Sequence, residues 1–160
     1  MAKVLCCDQA TKISGFSYFE NGQYIESGVV DLSKSKLDTA ERSFEMAKSI
    51  WKLIKNYKPD YIVLEDVQLQ KNNAKTMIIL ARLCGEIIGY AYAHNVKVRI
   101  ISPAAWRAKL EYRQGPKVKR EELKQQSLDY VTEHLGVELP EDEAESCCLG
   151  IAAHEIYDFE

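Results

Sequence analysis

Nowhere do the 160 residues run to eighteen consecutive apolar positions, so no membrane span is expected. The opening Met-Ala-Lys leads straight into a strand-like run, without the shape of a signal peptide, and the expected compartment is the cytoplasm. The cysteines (Cys6, Cys7, Cys84, Cys147 and Cys148) are odd in number and none has CxxC spacing. Neighbouring cysteines on a strand point to opposite faces, which argues against a zinc site built from the adjacent pairs. They read instead as small buried apolar residues in a reducing compartment. Glycine-rich phosphate loops, a Ser-His-Asp pattern and His/Cys metal spacing are all missing, as are internal repeats, low-complexity tracts and linkers. With 46% hydrophobic residues, the chain is read as one domain over residues 1–160 with a proper core.

Net charge is only −3, which excludes a global pull toward nucleic acid. The distribution is uneven. From Arg99 to Lys124 there are eight basic residues against three acidic ones, so that window carries +5 and the rest of the chain −8. Such asymmetry marks either a polyanion-binding face or a solvated helix and loop surface.

The chain opens on Val4-Leu5-Cys6-Cys7, an apolar run that ends on Asp8. Ile13 to Phe19 and Gln23 to Leu32 are β-prone and flank Asn21-Gly22, a strong hairpin signal because both turn positions need φ > 0. A three-strand meander is expected. Leu37 to Tyr57 reads as a helix, with Ala40, Phe44, Ala47, Ile50, Trp51 and Ile54 on its apolar face and Pro59 beyond its end. Tyr61 to Leu64 is a second apolar run ending on a carboxylate, Glu65. Coming after a helix and without a hairpin signal, it fits a parallel strand beside the first, joined by a crossover. Asp8 and Glu65 would then emerge at one sheet edge, the edge where open α/β sheets bind ligands.

A polar, basic loop (68–75) follows Glu65, then a long helix from about Ala74 to His94. Its stripe Met77, Leu80, Ala81, Cys84, Ile87, Ile88 and Ala91 serves either the core or a homodimer seam. Val96 to Ile101 reads as the fifth strand. Ser102-Pro103 caps a short helix over Ala104 to Leu110, another helix spans Val118 to Leu135 with Gly136 closing it, and the last starts at Pro140. The buried stripe expected on that last helix is Ala144, Cys147, Cys148, Ile151 and Ala152.

The last helix carries Asp142 and Glu145 three residues apart, on one face. Taken alone they are ordinary helix N-terminal acids. Together with Asp8 and Glu65 they make four carboxylates able to share one edge, an arrangement that is repulsive unless a cation neutralises it. Oxygen-only ligands select hard ions, so Mg²⁺ is expected, with Mn²⁺ as its substitute. Two ions roughly 4 Å apart can hold the attacking water and the leaving oxygen of a phosphodiester.

In order, spacing and length this pattern resembles the ribonuclease H-like nucleases, and more closely the RuvC-type Holliday junction resolvases, in particular small phage-encoded ones. The residues carrying the resemblance run from Cys7 to Gly15 and from Val63 to Val67, with Lys71-Asn72, Gly85, and Asp142 to Ser146. It implies an α/β fold with a mixed five-stranded sheet, an antiparallel three-strand meander plus two parallel strands, and helices on both faces. It also implies Asp8, Glu65, Asp142 and Glu145 as catalytic acids holding two ions, and a homodimer meeting around Met77–Ala91. Each protomer would nick one strand of a four-way junction, and forks or flaps are further candidates. Gln68, Lys71, Asn72, Lys75, Arg107, Lys109, Lys117, Lys119 and Arg120 are the expected DNA contacts.

Three departures stand out. Gln9-Ala10 replaces the Pro-Gly of bacterial members, Glu145 replaces a usual Asp, and Gln68 stands near the place of an aromatic wedge, which implies relaxed sequence selection. The alternatives left open are a ribonuclease H acting on RNA–DNA hybrids, a non-catalytic junction-binding module, and an actin-like nucleotide-binding module, which would need phosphate loops absent here.

Overall fold

The computed structural model describes residues 1–69 and 72–160. Its sheet has five strands, placed side by side in the chain order third, second, first, fourth, fifth. β1 (Lys3–Asp8), β2 (Ile13–Glu20) and β3 (Gln23–Asp31) form an antiparallel meander, while β4 (Tyr61–Glu65) and β5 (Lys97–Ile101) run parallel to β1. Asn21 and Gly22 both have positive φ, 52° and 78°, as a two-residue hairpin turn requires. The β1–β4 ladder pairs Cys7 with Leu64, so Asp8 and Glu65 leave neighbouring parallel strands at the same end.

Strand residues alternate between the two faces, and each face has its own core. Val4, Cys6, Tyr61 and Val63 meet α3 (Pro103–Lys109), α4 (Arg120–Leu135) and α5 (Glu141–Ile156) on one side. Leu5, Cys7, Ile62 and Leu64 meet α1 (Thr39–Tyr57) and α2 (Ala74–Ala93) on the other. All five cysteines are free and buried. The fold is the expected α/β one, with its mixed five-stranded sheet and helices on both faces.

Two helices turn differently from their expected phase. On α1 the buried residues are Ser43, Met46, Ala47, Ile50 and Ile54, and Phe44 is 47% exposed. There Phe44 packs edge-on to Trp51, which in turn stacks on Tyr90 of α2. On α2 the buried face is Leu83, Cys84, Ile87 and Ala91, while Ala81 lies outside it. Ile78, Ala81, Gly85, Gly89 and Tyr92 form a second, exposed apolar face, and at both glycines an added Cβ would meet nothing within 4 Å. Being apolar on both sides, α2 is long and apolar enough by length and composition to cross a membrane, which counting uninterrupted apolar residues did not anticipate. Its buried face packs on α1 as a core helix does.

α5 is buried nearly all round, from Ala144 to Gly150 and again at Ala152 and Ala153, with Ile151 only partly covered. It lies across β2 and β1, and two glycines set how closely. A Cβ on Gly150 would come within 2.2 Å of the Phe19 ring, and one on Gly15 within 1.8 Å of the Asp142 backbone oxygen.

Candidate active site

Gly15 is the register partner of Asp8 across β1 and β2. Because Gly15 has no side chain, the first turn of α5 rests directly on β2, beside the strand end that carries Asp8. From there Asp142 and Glu145, one turn apart, reach the same cleft as Asp8 and Glu65. The cleft, about 130 Å³, is also lined by Arg107, Arg120, Lys124 and Glu141.

Burial raises the proton affinity of all four acids, and crowding by the others adds to it at Asp8 and Glu145. Burial pushes Asp8 well above the ordinary carboxylate range, and the charges of Glu65, Glu145 and Asp142 push it further, with Arg107 opposing. Glu65 is raised by burial against the pull of its Trp106 hydrogen bond and of Arg107. Glu145 is pushed up to about 7, chiefly by burial, with Arg107 opposing and Glu65 adding. Asp142 is raised by burial, with Lys124 opposing. The acids are thus buried beyond what nearby cations neutralise.

Of those cations, Arg107 is only loosely committed. Arg107 Nη2 stands 3.8 Å from Glu145 Oε2, beyond hydrogen-bond distance, and its Nε is buried without a partner among the described residues. Lys124 Nζ is held 3.0 Å from Glu141 Oε2. Oxygen-only donors with raised proton affinity fit a hard divalent cation. Among the described residues, however, no group of three or more His, Cys, Asp or Glu side chains already stands in metal-holding geometry. Within the cleft, Glu65 Oε2 accepts from the Trp106 indole at 2.8 Å, and Glu145 lies 3.8 Å from Arg107.

Of the expected DNA contacts, Arg107 and Arg120 line this cleft. Gln68 is exposed and lines a small adjoining cleft with Gln9, Glu65, Asp66, Val67 and Leu80. Asn72, Lys75, Lys117 and Lys119 are exposed near the starts of α2 and α4, and Lys71 falls outside the described residues. Lys109 opens elsewhere, onto a cleft with Glu111, Tyr130, Glu133, His134 and Glu155. Sequence reasoning gives no individual role to four site residues. Lys124 and Glu141 line the cleft, and Trp106 and Gln9 hold Glu65. The only signal for Trp106 was its place beside Arg107 in the short capped helix.

A mixed five-stranded sheet of this order with helices on both faces is a fold shared with solved junction resolvases. A family model described as crossover junction endodeoxyribonuclease RuvC matches residues 4–111, and the chain belongs to the RuvC family. That match takes in Asp8, Glu65 and Arg107 and stops before α5. A crossover junction endodeoxyribonuclease RuvC from Fusobacterium nucleatum is 32% identical over 105 residues, 63% of this chain and 54% of that protein. The chain therefore spans about half the length of the curated relative it matches.

Among solved structures, Thermus thermophilus RuvC in complex with a Holliday junction substrate superposes with a TM-score of 0.75 at 14% identity, covering 96% of this chain and 93% of that one. The Fowlpox virus resolvase in complex with Holliday junction DNA gives 0.68 at 19% identity, covering 96% and 97%. The yeast mitochondrial Holliday junction resolvase gives 0.57 at 16% identity, covering 93% and 76%. At these identities the likeness is one of fold.

Proposed function

We propose that the chain is a metal-dependent, structure-selective DNA endonuclease that resolves four-way junctions by paired nicking, acts on forks or flaps as well, and selects sequence only loosely. The observation that carries this reading is the gathering of Asp8, Glu65, Asp142 and Glu145, from three separate elements, into one cleft with Arg107 and Arg120. Family membership and the junction complexes of its structural neighbours support it. Residues 1–160 would act as one nuclease domain in the cytoplasm, a setting that five free cysteines suit.

The four acids would hold two divalent ions, Mg²⁺ with Mn²⁺ as substitute. When bound, such a pair supplies an activated water and charge neutralisation at the departing oxygen. Arg107 and Arg120 would take the phosphate flanking the cut, and Arg107 is free to do so because its contact with Glu145 is long. Lys75, Lys117 and Lys119, with Asn72 and Gln68, would hold phosphates outside the cleft and make binding salt-dependent, and Lys71 is assigned to DNA as well. Lys109 would join them where DNA continues past α3. A second copy of the chain would dock on the exposed α2 face of Ile78, Ala81, Gly85, Gly89 and Tyr92, whose small residues permit close helix approach.

The test is to incubate labelled junction, Y-fork, duplex and RNA–DNA hybrid with the chain, in Mg²⁺ and in EDTA. Mg²⁺-dependent nicks in the junction are expected, and Glu65→Gln should abolish them while junction binding persists. Preference for the hybrid would turn the reading to a ribonuclease H. Gel shifts without product would turn it to a non-catalytic junction-binding module.

A further inference from the structure

Trp106 is the largest side chain fully closed to solvent. Its ring packs edge-on to Tyr112, centroids 5.4 Å apart, within the cluster formed by α3, α4 and α5. A buried indole N–H needs an acceptor. Here the acceptor is not a backbone carbonyl of the core but Glu65 Oε2, 2.8 Å away at the floor of the cleft. The position follows from the start of α3. Ser102 caps the helix by accepting from Ala105 N–H, and Pro103 takes the first turn, which puts Trp106 one turn in.

The backbone of Glu65 is held as well. The Gln9 side-chain amide donates to the Glu65 carbonyl at 2.6 Å and accepts from the Glu65 N–H at 3.3 Å, extending the β1–β4 ladder beyond its last strand pair. Among the described residues, no hydrogen bond is made to Glu65 Oε1. Arg107, next to Trp106, leans over the indole ring at 5.1 Å and toward Glu145. One turn of a seven-residue helix therefore reaches acids from both β4 and α5.

We propose that Trp106 is a positioning residue for Glu65. Its N–H occupies Oε2 and fixes the carboxylate plane, so that Oε1 is presented to a divalent cation. This rests on the reading of Glu65 as a cation ligand. A hydrogen-bond partner behind a ligand fixes the geometry of that ligand, and its loss typically costs about 10- to 100-fold in metal affinity.

The chain has two tryptophans, and Trp51 bonds to Glu86 on the opposite layer. In a Trp51→Phe chain, emission therefore reports on Trp106 alone. Titrating Ca²⁺ or Mg²⁺ should change that emission saturably, and Glu65→Gln should remove the change. Trp106→Phe keeps the ring and drops the donor. By calorimetry its Mn²⁺ affinity should fall about 10-fold or more. Nicking should recover at high Mg²⁺, so that the apparent metal constant rises while the maximal rate returns.

Unchanged Mn²⁺ affinity in Trp106→Phe would overturn the proposal alone, as would a maximal rate lowered at every metal concentration. Absence of any metal heat from the unaltered chain would overturn the reading of the acids as cation ligands, and this proposal with it. Should Trp106→Phe fail to fold, the emission titration decides: a silent Trp106 in a chain that binds metal refutes the proposal.

Discussion

Gly15→Ala is the substitution to which this architecture should be most sensitive. The new Cβ would stand 1.8 Å from the Asp142 backbone oxygen, 2.5 Å from its carbonyl carbon and 3.2 Å from Glu143 N. These are backbone atoms of the first turn of α5, so no rotamer change relieves the clash. Bringing the closest contact to 3.0 Å requires β2 and α5 to part by at least ~1.2 Å, taking 1.8 Å from 3.0 Å. Overpacking of this kind costs about 1–3 kcal/mol. For a chain of this size that lowers Tm by roughly 2–12 °C. The larger effect falls on Asp142, which moves with its backbone. Displacing a catalytic group by about 1 Å can cost about 100-fold in rate. Thermal melts and single-turnover nicking of a labelled junction in Mg²⁺ would measure both. A variant that melts with the unaltered chain and cuts at its rate would refute the idea that contact between β2 and α5 sets the acid cluster.

Two further outcomes follow from the same geometry. Glu145 is pushed from the ordinary 4.5 to about 7, so between those values the folded chain keeps a proton that the unfolded chain has lost. The contribution of Glu145 to the stability of the metal-free chain is then full below about pH 4.5 and lost as pH rises through 7, about 3 kcal/mol at most. Melts at pH 5 and pH 8 in EDTA should show that fall, and Mg²⁺ should reverse it at pH 8; a metal-free chain more stable at pH 8 would contradict it. On α2, Gly85→Lys meets open space within the protomer, so it should fold normally and give a monomeric mass by light scattering, against the dimeric mass expected of the unaltered chain.

The strand acids were legible because each ends an apolar run, Cys7 before Asp8 and Leu64 before Glu65, and Asn21-Gly22 announced the hairpin. Their common edge followed from the crossover through α1, and the pairing of Asp142 with Glu145 from helical spacing. The supports of Glu65 were not legible, because Trp106 and Gln9 meet it across 41 and 56 residues of sequence. Periodicity reveals that a helix has an apolar stripe but not its phase when a second side is apolar too. Ala81 thus fits the apolar repeat of α2 but lies outside its buried face, Leu83 is buried outside that repeat, and on α1 Met46 is buried where the repeat favours Phe44. Lys109 shares α3 with Arg107 but opens onto a different cleft, a distinction that charge counting cannot make.

Cys6 and Cys7 are adjacent in sequence yet belong to different interiors, one beneath α5 and the other beneath α1 and α2. The sheet thus works as a partition. Substitutions that reshape the outer side of α2 are shielded by it from the cleft chemistry, so the exposed face of that helix is able to diverge while the acid cluster stays under separate constraint.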